Sequence, residues 1–270
     1  MLQFISIGSG SSGNSYFLRA DDYAIFIDMG VGIRIFQHLC QAYGIPQHLG
    51  RAILLTHDHA DHTRAVGSYA SRHRLPVYAL GAVHQSLLEN YVQGIKVPTA
   101  LRHDIEPEVT FSLGPFDITP FEVPHDSTAC CGFFIRTGGT AFSLITDVGH
   151  VTPAITDYIS RSRYVVLEAN HDAEMLRCGR YPIHLKRRIA SPTGHLANAE
   201  AARTLATTLP PDARHVWLCH LSQDNNRPEL ALQAVTQALT EAGYPVGRGL
   251  SVDVLPRRTP SPPYVLDADR

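Results

Sequence analysis

Residues 57–62 read His-Asp-His-Ala-Asp-His and follow the apolar run Ile53-Leu54-Leu55 without a break. Imidazole nitrogens and carboxylate oxygens are good ligands for zinc or manganese. A divalent cation would turn the crowding of these side chains into attraction, whereas burying them uncompensated is costly. The cluster leaves the C-terminal end of a strand-like run and opens a helix-like one, a place where loops hold ligands. A loop there can send His57 and His59 to one side and Asp61 and His62 to another, which leaves room for two ions. The plainer reading is a solvated polar turn, and the regular spacing after an apolar strand argues against it. Asp58 lies inside the cluster as either an orienter of the ligands or a solvated carboxylate.

The elements that must position these groups follow from hydrophobic periodicity. Strands are expected at 2–7, 15–20, 23–28, 52–56 and 76–80, with helices at 31–43 and 60–73. Four strands in succession, 108–113, 116–123, 131–137 and 140–146, fill the middle of the chain. Alternation then returns: a helix near 153–160, a strand at 164–170, helices at 172–177, 183–190 and 198–209, a strand at 215–220, a helix at 228–243 and a strand at 250–255. Each half opens with strands and ends in alternating strands and helices. This suggests α/β architecture in a single domain, with two mixed sheets face to face and helices outside. The domain is expected over 1–256, and the Pro-rich, charged segment 257–270 is expected to be a loose tail.

The chain has 270 residues, 15 histidines and a net charge of −2. Any hold on nucleic acid must therefore come from a local patch. The five cysteines are odd in number and form no CxxC pair, the start lacks a signal-peptide pattern, and no apolar run could span a bilayer. A cytoplasmic protein with no membrane partner is expected.

Beyond the local cluster, "THDHADH" resembles the HxHxDH signature of the metallo-β-lactamase fold superfamily, which implies a four-layer αββα sandwich with a two-metal site at one edge. "VPHDS", "LITDVGH" and "LCHLS" match that family's later motifs through His125, Asp147 and His220, and "IFIDMG" supplies Asp28, similar to a buried aspartate that braces the histidine loop. The resemblance implies two divalent ions, Zn²⁺ or Mn²⁺. His57, His59 and His125 would hold one, Asp61, His62 and His220 the other, and Asp147 would bridge them with a water or hydroxide. Asp at 147, with no cysteine in its place, departs from the usual zinc β-lactamase pattern and favours phosphoesters or thioesters.

"SPTGHLANAE" resembles the Gly-His element of the nuclease branch, whose histidine protonates the leaving oxygen, and His195 is the match. The plainer reading is that His195, just before a helix, serves only local hydrogen bonding. Together with "GSGSSGNS", "LEANHD", "YPIHLKRRI" and "HLSQDNN", the motifs are similar to the bacterial YycJ/WalJ-type exonuclease branch. This implies a metal-dependent 5′-to-3′ DNA exonuclease with His195, Asp61 and Asp147 as catalytic residues and nucleic acid as partner. Ser11, Ser12 and Asn14 could offer hydroxyls and amides to a phosphate, or form only a tight turn. Lys186, Arg187 and Arg188, with His184, could grip flanking phosphates or form a solvated helix face. His171 could reach the rim and bind substrate, or hydrogen-bond Glu168 or Asp172. Asn225 and Asn226 are expected to shape the loop after His220. The alternatives are a small-molecule phosphodiesterase or thioester hydrolase of the same fold, and a metal-binding module without catalysis.

Overall fold

In the computed structural model, residues 2–90 and 94–266 are described. The N-terminal half builds one sheet from β1 (Leu2–Gly8), β2 (Ser15–Ala20), β3 (Tyr23–Ile27), β4 (Gly50–Leu54), β5 (Val77–Leu80) and β6 (Arg102–Ile105). The second sheet contains β7 (Phe111–Leu113), β8 (Phe116–Glu122), β9 (Cys131–Thr137), β10 (Thr140–Ile145), β11 (Tyr164–Glu168), β12 (His215–Cys219) and β13 (Ser251–Val254). A final strand, β14 (Tyr264–Leu266), returns to the first sheet, giving the orders β14-β1-β2-β3-β4-β5-β6 and β13-β12-β11-β10-β9-β8-β7. Each sheet is antiparallel where consecutive strands join by short turns and parallel where helices intervene.

The two sheets face each other across an apolar core. Phe4 of the first sheet lies 4.9 Å from Trp217 and 5.2 Å from Phe142 of the second, measured between ring centroids. β11 is buried along its whole length because it is covered on both faces. Tyr164 and Val166 point into the inter-sheet core with Trp217, and Val165 and Leu167 point to the outer layer with Val216 and Leu218. That outer layer is formed by α5 (Pro153–Ser160), α8 (Asn198–Thr208) and α9 (Pro228–Glu241), which contribute Ile155, Leu205 and Val235. On the other side, α1 (Ile33–Ala42) and α3 (Val66–His73) cover the first sheet through Phe36 and Tyr69, whose rings meet Phe26. The αββα sandwich expected from the resemblance is the fold observed.

Three local differences from the sequence expectation have physical causes. The helix expected over 60–73 is broken into α2 (Ala60–Thr63) and α3, because the Ala65 amide donates to the Met29 carbonyl at 2.8 Å and leaves the helical ladder. α4 (Gly81–Glu89) and β6 were not anticipated, since their apolar content is short and mixed with polar residues. The tail is not loose over its described length. Ser261 exchanges hydrogen bonds with the Ser6 main chain, and β14 pairs with β1, so that Leu266 is buried. Composition pointed to a solvated tail, but three residues with strand propensity suffice to extend an open sheet edge. Residues 267–270 of that expected tail lie outside the described residues.

All functional loops leave one edge of the sandwich. β9 is antiparallel to both β8 and β10, so β8, β10, β11 and β12 run the same way, and β3 and β4 run together in the other sheet. Their C-terminal ends converge. Close approach of the main chain there depends on Gly30, where an added Cβ would lie 1.6 Å from the Asp61 carbonyl oxygen. Gly30→Ala is therefore expected to displace residues 61–62 and to cost about 1–3 kcal/mol. Chemical denaturation would show this, and a variant as stable as the parent would mean that this loop can move freely.

Candidate metal centre

The histidine loop is tied down from below. β4 delivers Thr56, whose amide donates to Asp28 Oδ1 at 2.9 Å and whose hydroxyl donates to Asp28 Oδ2 at 2.9 Å. Asp28 Oδ2 also meets His62 Nδ1 at 2.7 Å. With Nδ1 engaged, His62 presents Nε2 to the pocket. Asp58 is held rather than solvated: its carboxylate accepts from the hydroxyls of Ser86 on α4 and of Thr128, which links the histidine loop to the loop that carries His125. Those hydrogen bonds outweigh its burial and keep the Asp58 carboxyl below the usual range.

Two half-sites emerge. His57, His59 and His125 bring their ring nitrogens within 4.8 Å of one another. His125 Nδ1 donates to the Gly194 carbonyl at 3.1 Å, which leaves Nε2 as a lone-pair donor 3.3 Å from His59 Nδ1. His57 is fully buried and its Nε2 has no hydrogen-bond partner among the described residues. An unsatisfied buried group of this kind costs about 1–3 kcal/mol. Asp61, His62 and His220 form the second group, with His220 Nε2 3.4 Å and His62 Nε2 3.8 Å from Asp61 Oδ2. Asp147 stands between the groups: Oδ2 lies 3.2 Å from His62 Nε2, and Oδ1 lies 3.7 Å from His125 Nε2. The orphaned His57 nitrogen and this donor set, imidazoles and carboxylates in one largely buried pocket, suit a divalent cation.

The electrostatics differ between the halves. Burial, together with the neighbouring His62, pushes His57 well below its ordinary value, and burial also lowers His125. Burial would lower His62 as well, but the Asp147, Asp28 and Asp61 charges override it and push it up to about 10. His220 is raised by Asp147, Asp61 and Glu168 against its own burial. The carboxylate-rich half thus binds positive charge strongly, as protons or as a cation.

Backbone strain marks the same residues. Among the described residues, six non-glycine residues have positive φ, and three of them are Asp28 (59°), Asp147 (56°) and His220 (53°). Each directly follows or closely follows a strand. Left-handed backbone there costs about 1–3 kcal/mol per residue and concentrates where side chains must be re-aimed.

Glu168, the last residue of β11, was named in the sequence only as a partner for His171, and its part in the site was missed. Fully buried, its Oε1 accepts from His195 Nδ1 at 2.8 Å and from His220 Nδ1 at 2.9 Å. Its Oε2 accepts from the amides of Val148 at 2.8 Å and Leu196 at 3.0 Å. One carboxylate therefore joins the Asp147, His195 and His220 loops. Burial opposes its ionisation, but His195 and His220 bring it down to about 2. The one available signal was a lone acid closing a wholly apolar strand. His195 is one-fifth exposed; burial would lower it, and the Glu168 charge and hydrogen bond raise it instead.

The remaining expected contacts divide. Ser11 lines a cavity of about 190 Å³ with His195, Asn170 and Arg188, and Ser12 is exposed beside it. Asn14 is buried beneath the site: its Oδ1 accepts from the Gly10 amide, and its Nδ2 lies 2.9 Å from His62 Nε2. It therefore braces the turn and also reaches the pocket, with Nδ2 3.4 Å from Asp61 Oδ2. Ser9 of the same turn accepts from the His220 amide at 3.0 Å. His171 is buried, its main chain bridges to Ala197, and its Nδ1 bonds neither Glu168 nor Asp172. Lys186 on α7 (Ile183–Ile189) donates instead to the Arg177 carbonyl of α6 (Ala173–Cys178) at 2.8 Å, and Arg188 takes its place at the cavity. His184 and Arg187 are exposed. Asn226 shapes the loop as expected, donating to the carbonyls of Ala169 and Asn170.

Residues 24–221 match the beta-lactamase superfamily domain. An exodeoxyribonuclease YycJ of Bacillus anthracis is 33% identical over 251 residues, which is 93% of this chain and 94% of that protein. An exodeoxyribonuclease WalJ of Streptococcus pneumoniae serotype 2 is 35% identical over 242 residues, 89% of each. Zinc-bound PqqB from Methylobacterium extorquens superposes with a TM-score of 0.71 at 18% identity, over 93% of this chain and 97% of that one. YhfI from Bacillus subtilis gives 0.70 at 17% identity, over 97% and 99%. The last two show the shared fold.

Two outcomes are expected from the centre itself. A cation that takes the His62 lone pair must displace the proton that the carboxylates hold there, so adding Zn²⁺ or Mn²⁺ to weakly buffered apoprotein should acidify the solution. Affinity should rise with pH across the neutral range, and an affinity indifferent to pH would place the ion elsewhere. Asp28→Asn should lower metal affinity about 10–100-fold, measured by competition with a chelating dye, because the His62 ring loses its anchor.

Proposed function

Because this chain belongs to the beta-lactamase superfamily, we propose that it is a metal-dependent hydrolase of phosphodiester bonds in nucleic acid, acting on DNA from a strand end in the 5′-to-3′ direction. The observation that carries this reading is the His195 imidazole, set by Glu168 at the rim of the histidine–carboxylate pocket and facing its cavity. The two relatives named as exodeoxyribonucleases support DNA as the substrate. All five cysteines are free, which supports a reducing, cytoplasmic setting. Among the described residues, no helix is long and apolar enough to cross a membrane.

In this proposal His57, His59 and His125 hold one divalent ion, zinc or manganese, and Asp61, His62 and His220 hold a second, with Asp147 between them. When bound, such a pair supplies an activated water and neutralises the phosphate oxygens. His195 gives its Nε2 proton to the departing sugar oxygen. Glu168 keeps that proton in place near neutral pH by holding Nδ1–H and raising the imidazolium pKa. Asp61 and Asp147, both kept ionised by their histidine neighbours despite burial, would hold the cations that draw the phosphate in. The Gly194 carbonyl, one residue before His195, orients His125, so the loop of the acid also sets a proposed ligand.

His195→Ala should retain its metal content, measured by atomic emission, and lose about 10²–10⁴-fold in kcat on end-labelled DNA. Undiminished cleavage overturns the role. Glu168 raises the His195 pKa, so Glu168→Gln lowers it. The alkaline limb of the kcat profile, where the acid loses its proton, should then move to lower pH. A limb that stays in place assigns the proton to another group. Faster turnover of an acyl-glutathione or a cyclic phosphate than of DNA would assign the site to another hydrolase chemistry of this fold.

A further inference from the structure

The cavity at His195 does not end there. A second cavity of about 260 Å³ adjoins it, and the two share Ser11, Tyr181 and Ser222 in their walls. The second one is walled beyond these by Ser12, Gln223, Arg257 and Arg258. A groove therefore leads from the catalytic histidine, past Tyr181, to two adjacent arginines in the segment that follows β13.

These arginines are placed and left without counter-ions. The Arg257 guanidinium donates to the Ser222 carbonyl at 3.0 Å, and its aliphatic stem lies over Gly10, where a Cβ would stand 3.2 Å from its Cγ. Arg258 donates to Gln223 Oε1 at 3.0 Å. A third, Arg64 at the end of α2, donates to the Ser12 carbonyl at 3.2 Å. Among the described residues, none of the three has a carboxylate at ion-pair distance. Arg188, at the other wall of the first cavity, is matched by Asp126. Asp224 also lines the second cavity, but its Oδ2 is occupied by the Tyr181 hydroxyl at 2.8 Å, a bond that also holds the ring at the junction. Three guanidiniums around one exposed serine turn outnumber the single Asp224 carboxylate there, and in a chain with a net charge of −2 they leave a local excess of positive charge that suits an anion.

We infer that Arg64, Arg257 and Arg258, grouped around the Ser11–Ser12 turn, form a second phosphate subsite that grips the phosphodiester next to the scissile one. Tyr181 at the junction offers a ring face to the intervening base. The inference rests on the nucleic-acid reading above and sharpens it: the substrate is an oligonucleotide that spans both subsites, and a single small diester fills only the first.

The test is a length series of 5′-labelled single-stranded oligonucleotides with one, two and three phosphodiesters, assayed with metal-loaded full-length protein. In the parent, kcat/KM should rise about tenfold when the second phosphodiester is added. In Arg258→Ala and Arg64→Ala, both exposed side chains, that rise should be lost through KM, with kcat nearly constant. The slope of log(kcat/KM) against log salt concentration should fall by about 0.7 per contact removed. Arg136→Ala, the same charge change at the opposite end of the second sheet, should keep the rise and the slope. A rise that survives both substitutions overturns the subsite and leaves the nuclease reading intact. A parent that cleaves no oligonucleotide of any length overturns the nuclease reading, and the subsite with it. If Arg257→Ala fails to fold, the Arg258 and Arg64 variants decide the matter.

Discussion

Ionised carboxylates and bare imidazole nitrogens cannot share a dry pocket unless positive charge lies between them. Asp147 and Glu168 are buried, Asp61 is partly buried, and His57 carries a nitrogen with no partner among the described residues. Hydrogen bonds from the protein satisfy the outward-facing atoms: Asp28 takes His62 Nδ1, the Gly194 carbonyl takes His125 Nδ1, and Glu168 takes the Nδ1 atoms of His195 and His220. The inward-facing atoms remain, and they converge on one small volume. The pocket is in this sense suited to cations, and the same carboxylate charges raise the proton affinity of His62 and His220.

The fold is arranged to sustain that unfavourable concentration of like groups. The candidate ligands come from both sheets, so the inter-sheet core of Phe4, Phe142 and Trp217 brings them together. Left-handed backbone at Asp28, Asp147 and His220 turns each side chain inward as its loop begins. Glu168 then ties three loops of the second sheet to one another. The same carboxylate therefore joins architecture to the proposed chemistry: it fixes His220 and raises the pKa of His195. The serine–glycine turn after β1 does something comparable from the first sheet, with Ser9 on the His220 amide and Asn14 against His62.

Much of this was legible in the sequence, for reasons of locality. The ligands of the 57–62 loop are neighbours along the chain, and strands with plain alternation lead to them, so both could be read directly. Asp28, His125, Asp147 and His220 are scattered, and only the resemblance singled them out. The part Glu168 plays escaped notice because a lone acid at a strand end carries no spacing. Lys186 and Arg188 were indistinguishable as charges until the phase of α7 turned one toward α6 and the other toward the cavity. Asn14 read as a phosphate contact because its turn is rich in hydroxyls, and composition could not show that the same side chain also ties that turn to His62. The tail read as solvated because composition does not reveal an open sheet edge waiting to be paired.

The most direct measurement is anomalous diffraction from crystals grown with manganese or zinc. Two peaks are expected, one on each side of the Asp147 carboxylate, the first among His57, His59 and His125 and the second among Asp61, His62 and His220. A pocket without either peak, in protein that still cleaves DNA, would contradict the centre described here.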